Sequence, residues 1–140
     1  CVMLAANEIG SEDIHDFEGF GYRSPVIAIT FSIFLFSLVG LPPTAGFIGK
    51  FYVFSAVIDA GMIWLAVIGA INSVISLYYY VKIMRNMFIR GIDVKKEPIN
   101  PSFTGISIVI ILAFLTILFG IYFSPILNWT NASAYIFVGN

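Results

Sequence analysis

The stretch Gly40-Leu41-Pro42-Pro43-Thr44-Ala45-Gly46 interrupts the apolar segment 25–58 close to its middle. Two adjacent prolines remove two backbone donors, and each proline disfavours helical geometry in the residue before it. As one straight helix the segment would reach roughly 50 Å, whereas a bilayer core is about 30 Å thick and two full spans need about 40 residues. We therefore predict one membrane crossing made of two half-helices, 25–40 and 44–58, joined by an unwound link.

Composition also indicates a membrane protein. Hydrophobic residues make up 59% of the 140 residues and charged residues only 11%, against about a quarter charged in soluble domains. Segments 62–85 and 103–123 each have the length of one span. We predict an all-α integral membrane protein with three crossings. A net charge of −1 leaves no basic excess for nucleic acid, and the lone Cys1 and His15 predict no metal site.

The remaining segments divide by their charge. Residues 1–7 are interpreted as the end of a helix that begins outside the chain, so that the chain is a fragment. Six of the seven basic residues flank the first and second crossings, which by the positive-inside rule predicts a cytoplasmic location for those flanks. The predicted segments are a polar cytoplasmic loop at 8–24, a basic cytoplasmic loop at 86–102, and a tail at 124–140 on the opposite side.

Lys50 is the seventh basic residue and lies inside the second half-helix. A lysine at membrane depth costs at least a few kcal/mol, which makes it a functional candidate. Snorkelling to an interface is the alternative, but about eight residues separate Lys50 from the turn at Asp59. The start of the half-helix near Thr44 would present partial positive charge to an ammonium, an effect that fades beyond the first turn.

Four other side chains could line a proton path, each with a structural alternative. Asp59 could release protons on the outer side or simply be solvated. Asn72 and Ser76 could line a wet path or bond neighbouring helices. Tyr79, within Tyr78-Tyr79-Tyr80, fits an interfacial aromatic belt better than a conduit. No phosphate-binding loop or Cys-x-x-Cys motif is present, so no redox cofactor is expected in this chain.

The run FSLVGLPPTAGFIGKFYVF at 36–54 resembles the C-terminal part of the subunit N family of proton-translocating NADH:quinone oxidoreductase, respiratory complex I. The likeness covers most of residues 8–90, whereas the last fifty residues match only in hydropathy. Subunits of Mrp-type cation/proton antiporters share the broken helix and are the alternative family. A third interpretation is a structural segment that packs other helices and carries no ion.

The resemblance implies a larger subunit of about fourteen transmembrane helices whose twelfth is broken at mid-membrane. It places 25–58 on that helix and Lys50 on its lysine, which implies a proton relay in the last part of the path. The implied partners are protons, the lipid bilayer and the other membrane subunits of the complex, in a bacterial cytoplasmic membrane. NADH, flavin, iron–sulfur clusters and quinone would be bound by other subunits.

Overall fold

The computed structural model describes residues 1–10, 13, 17–90 and 102–124, and within these ranges every regular element is a helix. This agrees with the predicted all-α class. The six helices are α1 (Val2–Ile9), α2 (Phe20–Arg23), α3 (Pro25–Val39), α4 (Ala45–Asp59), α5 (Ile63–Phe88) and α6 (Phe103–Ile121).

Helices α3 and α4 are separated by residues 40–44, called the link below. α3 begins with Pro25 at its first position, where a missing N–H costs nothing, and ends at Gly40, whose φ is 86°. Thr44 is extended and precedes α4. The predicted half-helices, 25–40 and 44–58, agree with these bounds to within a residue.

A tight turn reverses the chain between α4 and α5. Gly61 has a φ of 76°, and the N–H of Met62 donates to the carbonyl of Val57, the bond that closes a Schellman motif. α5 then packs against both α3 and α4, and α6 packs against the same two helices. The two half-helices therefore share the same pair of neighbours. The link itself lies against Gly120 of α6.

The predicted polar loop at 8–24 needs correction. α1 continues to Ile9, and Phe17 and Phe20 are 5% and 0% exposed. They belong to a core cluster with Ala5, Ile27, Ala28 and Met87. The acidic residues of this stretch make its average hydropathy polar, although it contains two aromatic rings. Burial of each ring stabilises the fold by roughly 2–3 kcal/mol. The segment is thus partly core, formed where α1, α2, α3 and α5 meet.

The second predicted loop also begins later than expected. α5 extends three residues past residue 85 to Phe88, and Asn86 and Met87 are buried. Helix α2 lies so close to this end that a Cβ at Gly21 would stand 2.6 Å from Cδ1 of Phe88. Packing against α2 therefore continues the helix into the basic stretch. Residues 91–101 of the predicted loop and residues 125–140 of the predicted tail lie outside the described residues.

Two of the described helices, α5 and α6, are long and apolar enough to cross a membrane, and α3 is a shorter apolar helix. Their outward faces carry large apolar side chains, with Trp64 and Phe103 81% and 85% exposed. α6 ends two residues before the predicted boundary at 123. An exposed apolar surface of this extent is typical of helices covered by lipid or by further protein.

Candidate functional site around Lys50

The end of α3 leaves particular carbonyl groups without helical partners. The N–H of Leu41 donates to the carbonyl of Phe36, and the N–H of Gly40 donates to that of Ser37, which together form a Schellman motif. In a continuing helix, residues 42 and 43 would donate to Leu38 and Val39. Both are prolines and carry no N–H, so the Val39 carbonyl is available to another donor.

Lys50 provides that donor. Its Nζ donates a hydrogen bond of 2.7 Å to the Val39 carbonyl. Lys50 is the sixth residue of α4, and side chains in a helix point toward the helix N-terminus, which directs the amine back to the end of α3. The sequence predicted a repulsive positive field from the start of α4. Instead the amine contacts the carbonyl end of α3, where partial negative charge favours a cation.

Ser73 completes the site from a third helix. Its Oγ accepts a second hydrogen bond from Lys50 Nζ, at 3.2 Å, and its own hydroxyl donates to the carbonyl of Gly69 at 3.0 Å. The bond to Gly69 fixes the hydroxyl so that its lone pairs are available to the lysine. Ser73 is not among the candidates predicted from the sequence, where it is one of several polar residues of α5. The sequence separation between Ser73 and Lys50 does not predict their contact, because that contact depends on how α4 and α5 pack.

Both partners of the amine are neutral acceptors. A neutral amine has two N–H groups and an ammonium has three. The neutral form can therefore satisfy both of its donors here, and the charged form has one more N–H to place. Among the described residues no carboxylate forms an ion pair with Lys50, whose side chain is only partly exposed.

Two glycines of the predicted helix break provide the space for this arrangement. A Cβ on Gly40 would stand 2.7 Å from Cδ of Lys50, so the aliphatic stem passes directly over that glycine. A Cβ on Gly46 would overlap the carbonyl of Ser37. The first turn of α4 therefore lies against the last turn of α3. The Gly46 N–H donates to Oγ of Ser37 at 3.2 Å, which caps an amide at the start of α4.

The rest of the link is held by local bonds and by α6. Thr44 is 4% exposed, and its hydroxyl donates to the carbonyl of Leu41 at 2.7 Å. Gly120 of α6 lies so close to Pro43 and Thr44 that any Cβ there would overlap the backbone of both. A cavity of about 250 Å³ adjoins the link. Its lining is mainly apolar and consists of Ile33, Phe36, Leu41, Pro42, Pro43, Thr44 and Ile117.

The four residues predicted to line a path do not join this site. Asp59 is exposed at the end of α4. Asn72 and Tyr79 are exposed on α5, and the Ser76 hydroxyl donates within its own helix to the carbonyl of Asn72. Within the described ranges, none of the four has a hydrogen bond to Lys50. Their part in a proton path stays a prediction.

Comparison with known proteins places this geometry in a family context. Residues 1–76 match a family model described as NADH:quinone oxidoreductase/Mrp antiporter, transmembrane. "NADH-quinone oxidoreductase subunit N 2" of Chloroherpeton thalassium is 46% identical over 89% of the chain and 25% of its own length. Subunit N of Anaeromyxobacter sp. is 44% identical over 99% of the chain and 28% of its own length.

A relative with a different name also aligns. "F(420)H(2) dehydrogenase subunit N" of Methanosarcina mazei is 34% identical over 97% of the chain and 28% of its own length. The chain thus spans about a quarter of the length of the curated relatives that it matches. The similarity to subunit N, first indicated by the motif at 36–54, is confirmed.

Proposed function

The chain belongs to the NADH:quinone oxidoreductase/Mrp antiporter transmembrane family, and from that membership we propose that it forms part of the proton-translocating membrane arm of an NADH:quinone oxidoreductase. As a member of a transmembrane family with subunit N relatives, it is an integral membrane protein. Its partners would be other membrane subunits of that complex, and a bacterial cytoplasmic membrane is the proposed location. The remaining helices of the proposed subunit would lie outside the segment described by this sequence.

Helices α3 and α4 with their link would form one discontinuous crossing, followed by α5 and α6 as the second and third. Irregular backbone at membrane depth is tolerated only where protein or a cavity covers it. The close contact of Gly120 with the link and the adjoining cavity support this arrangement. In this topology residues 8–24 and 86–102 face the cytoplasm, and residues 125–140 face the opposite side.

Within that crossing, Lys50 would take up and release a proton. The observation that carries this role is the pair of neutral acceptors, Val39 O and Ser73 Oγ, which can hold the amine in either protonation state. The third N–H of the ammonium, or the lone pair of the neutral amine, would exchange the proton with water or with a group from the remaining helices. Discontinuous helices serve ion sites in this manner, with carbonyl ends of half-helices facing the cation.

The names of the relatives support a role that does not depend on the electron donor. One group is named for NADH and another for F420H2, yet both align with nearly the whole chain. A segment common to the two is better suited to proton translocation than to binding either donor. We therefore propose that this segment holds no redox cofactor, and that the donor, flavin, iron–sulfur clusters and quinone are bound by other subunits.

Replacing Lys50 by alanine in the intact complex tests the proposal. Electron transfer from NADH to quinone and proton uptake would be measured together in inverted membrane vesicles, with Lys96→Ala as a charge-matched control in the predicted cytoplasmic loop. We expect the Lys50 variant to assemble and to translocate fewer protons per electron pair, and the control to behave as wild type. A wild-type ratio in Lys50→Ala would instead favour a purely structural, helix-packing segment.

A further inference from the structure

A second cavity, of about 310 Å³, lies at the C-terminal end of α5, and its lining begins at Tyr78, more than one turn beyond Ser73. It takes no part in the Lys50 site. Three of its lining residues are cationic, one is an amide, and two present apolar or aromatic surface. The lining is formed by Tyr78, Val81, Lys82, Arg85, Asn86 and Arg90.

The positive charge of this cavity is only partly balanced. Arg90 forms an ion pair with Glu18, with 3.6 Å between Nη1 and Oε1. Both side chains are substantially exposed, so this pair is weak. Within the described part of the chain, no carboxylate pairs with Lys82 or Arg85, which are both exposed. The cavity therefore carries two cations without partners, which favours an anionic ligand.

Asn86 gives independent evidence for such a ligand. It is 2% exposed and lines the cavity, and its Nδ2 has no hydrogen-bond partner among the described residues. Leaving a buried donor unsatisfied costs about 1–3 kcal/mol, so native structures generally pair such groups. An amide N–H beside two cations is a suitable donor for the oxygen of an anion. A ligand oxygen at this position would satisfy a group that the described residues leave unpaired.

The position of the cavity along α5 identifies the type of anion. The uncharged part of α5, residues 63–81, would be about 28 Å long, which matches the hydrocarbon thickness of a bilayer. Lys82 is the first charge after this run and therefore lies at the level of the lipid headgroups. Tyr78 and Val81, on the hydrocarbon side of the cavity, are 68% and 46% exposed. The site thus combines a cationic end with an apolar approach.

We propose that this cavity binds the phosphate group of an anionic phospholipid. Lys82 and Arg85 would pair with the phosphate, Asn86 would donate to one of its oxygens, and an acyl chain would pass over Tyr78 and Val81. Basic pockets beside transmembrane helices on the cytoplasmic side are suited to headgroups of this kind. A free phosphate ion has the same charged chemistry but would not use the apolar approach.

The test uses the full-length subunit within its purified complex. Complexes would be stripped of lipid in detergent and placed in nanodiscs of phosphatidylcholine with a small fraction of phosphatidylglycerol. Tightly bound phosphatidylglycerol would then be counted by mass spectrometry. Lys82→Gln/Arg85→Gln should weaken its binding roughly thirtyfold, from about fivefold for each of the two charges. Lys95→Gln/Lys96→Gln removes the same charge from the same basic stretch and should leave binding unchanged.

A second variant and a second probe make the result specific. Asn86→Asp keeps the side-chain size but replaces the donor by an acceptor, and it should also reduce phosphatidylglycerol binding. Inorganic phosphate should not displace the lipid at millimolar concentration. Equal loss in both double variants, or unchanged lipid in Lys82→Gln/Arg85→Gln, would overturn the proposal. Displacement by inorganic phosphate, with no preference for phosphatidylglycerol over phosphatidylcholine, would overturn it in favour of a free-anion site.

Discussion

The amine of Lys50 and the carbonyl of Val39 are joined by a 2.7 Å hydrogen bond across the break between α3 and α4. The bond exists because Pro43 stands where the helical partner of Val39 would be, so the carbonyl that the proline leaves unpaired becomes the lysine's acceptor. The interruption between the helices and the position of the Lys50 amine therefore depend on each other. Each change to the link should alter Lys50, and each change to Lys50 should alter the link.

Gly40 should be intolerant of even a methyl group. Gly40→Ala places a Cβ at a φ of 86°, which costs about 1–2 kcal/mol, and directs it into Cδ of Lys50. We expect a lower thermal midpoint of the detergent-purified complex and reduced proton translocation. Gly49→Ala is the control, because a Cβ there has no atom within 4 Å and alanine favours helix by roughly 0.5–1 kcal/mol. Equal stability of the two variants would refute the role of Gly40.

Ser73 should act as a positioning residue for the lysine. Ser73→Ala removes an acceptor of Lys50 Nζ and should slow proton translocation roughly fivefold, equivalent to about 1 kcal/mol for one lost hydrogen bond. Ser73→Thr keeps a hydroxyl that can still bond the carbonyl one turn before it, and it should restore most of the rate.

The control for Ser73 is Ser107→Ala. The Ser107 hydroxyl donates only within its own helix, to the carbonyl of Phe103. Its removal should leave proton translocation at the wild-type rate. If Ser73→Ala and Ser107→Ala behaved alike, the contact between α5 and Lys50 would have no part in proton transfer.

The interruption between α3 and α4 could be predicted from the sequence because its causes are local. Two prolines delete donors and Gly40 supplies a positive φ, and the bounds of α3 and α4 agree with the predicted ones to within a residue. That the two helices form one broken membrane crossing stays a prediction. Lys50 was identifiable as a candidate from the cost of its charge alone. The identity of its partners was not, since Val39 and Ser73 are brought to it by the overlap of α3 with α4 and by the packing of α5.

Packing between distant segments also explains the errors at the polar end of the molecule. Phe17 and Phe20 lie within a stretch rich in acids, and their burial depends on α1 and the end of α5. Hydropathy averaged along the chain cannot detect two rings whose partners are far apart in sequence. The same contacts extend α5 into residues predicted as a loop. Periodicity and charge identify elements, whereas the core depends on which elements meet.

The two prolines of the link should differ in importance. Pro43→Ala restores an N–H at the position that serves the Val39 carbonyl in a continuous helix, whereas Pro42→Ala restores the one that serves Leu38. A competing backbone donor at Val39 would release Lys50 from its acceptor. Proton translocation should therefore fall severalfold more in Pro43→Ala than in Pro42→Ala, with both proteins still inserted, as compared by membrane fractionation. Equal or reversed effects would show that proton translocation does not depend on the unpaired carbonyl of Val39.

Lys50→Arg separates a proton carrier from a fixed charge. The guanidinium keeps the positive group and can donate to both Val39 O and Ser73 Oγ, but it does not lose its proton in proteins. If Lys50 exchanges protons, the arginine variant should assemble, retain electron transfer in part, and lose most proton translocation. The measurement is the ratio of protons to electrons in vesicles, with Lys50→Gln as the neutral comparison. Full translocation by the arginine variant, together with loss in the glutamine variant, would mean that only a permanent cation is required beside the end of α3.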